Sequence, residues 1–123
     1  KALLITLYHE ARSESDEGVK AVAQVVLNRA AHPSRWEDTI HGVIYQKHQF
    51  SYLWDGSVNK GMRDKTQVTR MGIIAYDAIH GMMESSLAKD ALFYHTVDMK
   101  KYPRWSKKKR LIARVDNHLF YTF

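Results

Sequence analysis

Leu7 to Gly18, LYHEARSESDEG, is the stretch on which the reading of this chain turns. On its N-terminal side Leu4, Leu7, Tyr8 and Ala11 fall at helical spacing, which predicts a helix over Lys1–Arg12 with one buried stripe. SESDEG then interrupts the pattern. Ser15 suits an N-cap, with Asp16 and Glu17 in the first turn, where the helix dipole favours acid. Val19, Val22, Ala23, Val26 and Leu27 supply the apolar face of a second helix that runs to Asn28 and Arg29. The stretch is therefore a joint between two helices. It seats one carboxylate, Glu10, on an otherwise apolar face just before the chain breaks.

Working outward, HPSRWEDT reads as a loop, because Pro33 biases His32 away from helix. Asp38 or Thr39 can cap a short helix, TIHGVIYQ. QFSYLWDGS has the aromatic alternation of a strand and ends in the turn signal Asp55-Gly56. Lys65 to Met83 is the longest helical pattern, with Val68, Met71, Ala75, Ala78, Ile79 and Met82 in step. ALFYH reads as a short strand. LIARV and HLFYTF read as two more, joined at Asp116-Asn117, residues that tolerate the backbone of a tight hairpin. Helices first and a small antiparallel sheet last predict an α+β fold, mainly helical.

A chain of 123 residues with 45% hydrophobic and 26% charged residues fits one domain, 1–123, with one core. No apolar run approaches the ~20 residues that span a membrane. No secretory-leader pattern stands at the start, and Lys1 replaces an initiator Met, as in a mature form or an excised domain. With no cysteines, disulfides and thiolate metal sites are excluded. The net charge of +6 attracts polyanions: nucleic acid, anionic lipid or the acidic polymers of a bacterial envelope.

Two chemistries fit a helical Glu10. His9-Glu10 begins the zinc motif H-E-x-x-H, but Ser13 stands where the second His belongs, and the seven histidines show no ligand pattern, so no metal or other cofactor is expected. General acid catalysis is the other. A carboxyl at the rim of an apolar face loses solvation, its pKa rises, and it can donate a proton at neutral pH. A solvated surface Glu beside Arg12 is the commoner role for such a residue.

YHEARSES with AVAQVVLNRA, then DTIHGVIYQKHQFSY, ALFYH and DNHLFY, in this order from Tyr8 to Tyr121, resemble the cell-wall hydrolase family typified by the spore-cortex lytic enzyme SleB and its phage relatives. The resemblance implies a lysozyme-like α+β fold and cleavage of peptidoglycan glycan strands. It puts the catalytic acid/base on Glu10, the family's Gln-Phe-Ser-Trp segment on Gln49, Phe50, Ser51 and Tyr52, and its closing pattern near His118, Phe120 and Tyr121. Three positions depart from the family: Ser13 replaces the Gly after Glu-Ala-Arg, Tyr52 replaces Trp, and Asp116-Asn117 stand where Gly-Asn is frequent.

Ordinary glycosidases need two carboxylates. Glu14, Asp16 and Glu17 sit in the helix-start segment, where pairing with the helix dipole is the ordinary role, Asp38 suits a cap and Asp55 a turn. A single acid/base suits a lytic transglycosylase, which the resemblance implies. A muramidase-type hydrolase is the alternative if a second carboxylate positions water. Tyr52, Trp54, Tyr94 and Tyr121 are candidates for a saccharide floor, with core packing the competing role for Tyr94 and Tyr121. Gln49 and Ser51 offer polar partners for N-acetyl groups, and His118 lies beside the hairpin turn. KKYPRWSKKKR, Lys100–Arg110, carries Trp105 among seven basic groups. A solvated basic loop, an anionic envelope polymer, or single-stranded nucleic acid with Trp105 stacking would each use it. A wall-binding module without catalysis is the remaining class. The expected protein is a monomer acting on peptidoglycan in the cell envelope, periplasm or wall, of bacterial or phage origin, with no specific nucleic acid and no membrane span.

Overall fold

The computed structural model describes residues 1–32, 35–46, 50–53, 55–87 and 89–123. Helices α1 (Ala2–Ala11), α2 (Asp16–Ala31), α3 (Ile40–Tyr45) and α4 (Lys65–Ile79) precede strands β1 (Phe93–Thr96), β2 (Arg110–Val115) and β3 (His118–Thr122). The sheet is antiparallel in the order β1-β3-β2. Phe120, on the central strand, is fully buried in the core that α1, α2 and α4 share.

The first joint forms as its residues dictate. Leu3, Leu7, Tyr8 and Ala11 are buried on α1, and Ser15 caps α2 by accepting from the Gly18 N–H. Covering a side chain such as Leu7 is worth about 1.5–3 kcal/mol. α2 runs two residues past Arg29 and stops at His32, which is extended before Pro33. Thr39 caps α3.

Two expectations are corrected. The strand expected over QFSYLWDGS is absent among its described residues: Ser51–Leu53 is a 3-10 turn, and Phe50 and Tyr52 are both buried. Phe50 and Tyr52 reach the core against helices, Phe50 beneath Arg29 of α2 and Tyr52 against Thr6 and His9 of α1. α4 ends at Ile79, four residues short of Met83. Gly81 takes φ +72°, the Gly81 N–H donates to Ala78 O and the Met82 N–H to Asp77 O, a Schellman stop that leaves Met82 56% exposed.

The β2–β3 turn is the anchor of the α1–α2 joint. Asp116, at φ 49°, directs Oδ2 at the start of α2, where it accepts from the Ser15 N–H (2.8 Å) and hydroxyl. Gly18 permits the approach: a Cβ there would lie 2.5 Å from Asp116 Oδ2. Arg70 of α4 closes the other side, donating to the carbonyls of Arg12 and Glu14 and to Asp16 Oδ1 (2.6 Å). These carbonyls follow the end of α1 and would otherwise lack helical partners. Among the described residues no helix is long and apolar enough to cross a membrane.

Candidate active site

Glu10 sits in the last turn of α1, just before the joint that Arg70 and the hairpin hold. Glu10 lines a cavity of about 660 Å³ together with Tyr8, His9, Arg12, Tyr52 and Asp55. The Tyr94 hydroxyl, from β1, donates to Glu10 Oε1 at 2.6 Å. Burial pushes the Glu10 carboxyl above its ordinary range. The Tyr94 hydrogen bond and the Arg29 guanidinium pull it down, and the Asp55 carboxylate adds to the rise. Burial and the neighbouring Glu10 hold the Tyr94 phenol well above its own range, so Tyr94 remains a donor. The arrangement can deliver a proton to a ligand oxygen and take one back.

Tyr52 lines the same cavity, yet it is only 3% exposed. Its hydroxyl lies 2.6 Å from Thr6 Oγ1, and its ring stacks on His9 with centroids 4.8 Å apart and planes 11° from parallel. His9 thus covers one face of the Tyr52 ring, a face that the saccharide-floor expectation left open to sugar.

Two of the expected substrate contacts, His118 and Tyr121, lie buried and do not line this cavity. His118 is 3% exposed and lies outside this cavity; its Nδ1 stands 2.7 Å from Glu14 Oε1, off the ring N–H direction. Glu14 also accepts from the Asn117 backbone and side chain, both at 3.3 Å. Glu14 is thus a buried anchor for the hairpin, not a dipole partner at the start of α2. Burial lowers the His118 pKa, against the pull of Glu14. Tyr121 is 5% exposed, and its hydroxyl lies 2.8 Å from His95 Nε2. Gln49 and Trp54 fall outside the described residues, as does the side chain of Ser51.

Three residues of this region were not singled out for a site by the sequence. His9 is the ring facing the cavity. Asp55 is an exposed carboxylate on the cavity wall, kept below its ordinary range by hydrogen bonds from Ser57. Arg29 is buried near Glu10 and Tyr94. The signal for Arg29 was present: it falls in step with Val22 and Val26, where a charge is out of place on an apolar stripe. Trp105 packs against Phe93, His95 and Tyr121 with centroids 5.3–5.7 Å apart, so its ring pins the basic 3-10 turn Arg104–Lys107 to the sheet. Among the described residues no three His, Asp or Glu side chains gather as a metal site.

Residues 13–121 match the family described as Cell Wall Hydrolase. The chain belongs to that family. The Cell Wall Hydrolase match begins three residues after Glu10. The fold is similar to the catalytic domain of the germination-specific lytic transglycosylase SleB from Bacillus anthracis, with a TM-score of 0.77, 27% identity, and 98% of this chain and 91% of that one covered. The catalytic domain of the Bacillus cereus SleB protein gives 0.73 at 27% identity, covering 98% and 88%. The architecture is thus lysozyme-like α+β, as the sequence resemblance implied. The spore cortex-lytic enzyme of Bacillus subtilis is 31% identical over 120 residues, 98% of this chain, and that of Oceanobacillus iheyensis 32% over 114 residues, 93% of this chain. The chain spans only 36% and 38% of the lengths of those two relatives.

Proposed function

We propose that this chain cleaves peptidoglycan glycan strands as a lytic transglycosylase, with Glu10 as its single acid/base. The observation that carries the reading is a partly desolvated carboxyl, raised in pKa, bonded to a permanent donor and opening on a cavity of saccharide size. Family membership and the likeness to a lytic transglycosylase domain support it. Protonated Glu10 gives its proton to the oxygen between N-acetylmuramic acid and N-acetylglucosamine, and that C–O bond breaks. The substrate's N-acetyl group steadies the cationic centre. Glu10, now ionised, takes the proton of the muramic C6 hydroxyl as its oxygen closes a 1,6-anhydro ring. Tyr94 remains hydrogen-bonded to Glu10 through both steps and fixes its orientation. The place of action is the cell envelope.

Asp55 favours one second reading, muramidase-type hydrolysis. Two carboxyls share the cavity, one raised and one lowered in pKa, the division of labour of an acid and a carboxylate that positions water. Mass spectrometry of the muropeptides released from purified peptidoglycan separates the two. Anhydro ends support the transglycosylase, reducing ends the hydrolase, and no release a wall-binding module.

A further inference from the structure

Arg29 is 7% exposed, and among the described residues its Nη1 has no hydrogen-bond partner. Its Nε donates to Leu92 O at 2.8 Å, which fixes the guanidinium between α2 and the approach to β1. No carboxylate pairs with it among the described residues, although Glu10 acts on it through space. A buried cation with an unused donor is costly, because neither water nor an acid repays its desolvation.

The unpaired nitrogen has a place to act. Arg29 lines a second cavity, of about 430 Å³, with Arg35, Gln46, Trp36, Tyr94 and Trp105 among its walls. Among the described residues two arginines and no acid line it. The Gln46 amide oxygen accepts from the Glu37 N–H at 3.2 Å, which leaves its NH2 group as the remaining polar end of a residue that lines this cavity. Arg35 is held over the rings of Trp36 and Phe123, 5.7 and 5.2 Å from their centroids, which limits where its charge can go. Tyr94 joins this cavity to the first one, because its hydroxyl is bonded to Glu10.

We propose that this cavity is a carboxylate site, and that it receives the acidic branch of a muramic residue next to the bond being cleaved. The inference rests on the proposed glycan-cleaving function. In a strand of alternating sugars only the muramic residue carries a lactyl ether, ending either in a free carboxylate or in a peptide with carboxylates of its own. N-acetylglucosamine has neither. Arg29 and Arg35 therefore set the register of the strand, so that the bond presented to Glu10 follows a muramic residue and not its neighbour.

The test compares three soluble strands: stripped of peptide with free lactyl carboxylates, the same strands coupled to methylamine, and strands with peptides intact. Cleavage is followed in wild type, Arg29→Lys and Arg35→Gln. Binding is followed in Glu10→Gln, with and without Arg35→Gln, by the fluorescence of Trp36 and Trp105 on the cavity wall. A charge-assisted bond predicts roughly tenfold better kcat/KM for a carboxylate strand than for the methylamide, with most of that preference lost in either arginine variant. Preference for free lactyl strands names the lactyl group as the source; preference for peptide-bearing strands alone names the stem. Arg35 is on the surface, so Arg35→Gln carries the test if Arg29→Lys does not fold. Arginine-dependent carboxylate binding with no cleavage by wild type supports this site and overturns the proposed function. Cleavage of all three strands at equal efficiency, or a preference that persists in both variants, overturns this site and leaves that function standing.

Discussion

Tyr94 Oη lies 2.6 Å from Glu10 Oε1, a contact that ties the sheet directly to the carboxyl on α1. The hydrogen bond lowers a Glu10 pKa that burial raises. Removing the donor in Tyr94→Phe should let that pKa rise further. A general acid works only while protonated, so kcat/KM falls as pH climbs through the pKa of the free enzyme. The descending limb of the Tyr94→Phe profile should therefore move to higher pH, while the maximum drops because Glu10 loses its orientation. A limb that stays in place or moves to lower pH would show that the bond does not set the acid.

Glu14 and His118 lock the hairpin to the joint, and the lock should respond to pH. The His118 pKa is lowered in the folded state, chiefly by burial. The unfolded chain then binds the proton more readily. The contribution to stability is present above the unfolded His value and is lost as pH falls through the lower folded value. Thermal unfolding of wild type should show a falling Tm on acidification through this window. His118→Gln should start from a lower Tm and show a shallower fall. An equal slope in both proteins would move the acid sensitivity to another group.

Gly18→Ala separates local preference from packing. Alanine is the better helix former by about 1 kcal/mol. Its Cβ would stand 2.5 Å from Asp116 Oδ2 and 2.8 Å from Glu14 Cβ, at the contact that fixes the hairpin. Urea unfolding should show a net loss of about 1–3 kcal/mol, the usual cost of overpacking. A stabilised variant would mean that this approach is slack.

How much of this was legible in the sequence depended on whether a signal was local. The joint at Ser15, the cap at Thr39 and the turn at Asp116 announce themselves within a few residues. The Gly81 stop was also local, but the apolar periodicity running to Met82 masked it. Phe50 to Tyr52 failed as a strand because alternation records burial, not the partner that supplies it, and here helices supply it. Glu10 and Tyr94 were both marked as candidates, but their contact joins residues 84 apart. His118 and Tyr121 were marked by the same resemblance and lie buried in the fold. No composition or spacing distinguishes a buried support from a cleft wall before the chain is folded.

Tyr52 offers a direct check of that distinction. The family resemblance puts a Trp at this position, so Tyr52→Trp would be harmless if the ring lay open to sugar. In the structure the ring is buried, its hydroxyl bonded to Thr6 and one face covered by His9. The larger indole should cost about 1–3 kcal/mol of stability through overpacking and a lost hydrogen bond. A Tm equal to wild type, with saccharide affinity retained, would return Tyr52 to the cavity floor.

The central claim is that Glu10 is the acid/base, and Glu10→Gln tests it by substituting an amide that keeps shape but carries no transferable proton. The folded-state pKa of Glu10 is raised, so its contribution to stability is present below the unfolded value and lost as pH rises through the folded one. At neutral pH the amide should therefore fold at least as well as wild type. The decisive measurement is the rate at which folded Glu10→Gln protein releases muropeptides from purified peptidoglycan, read by mass spectrometry. The account predicts a fall of at least ~10²–10⁴-fold, the usual worth of general acid–base catalysis. Release of the same products at near wild-type rate would contradict it.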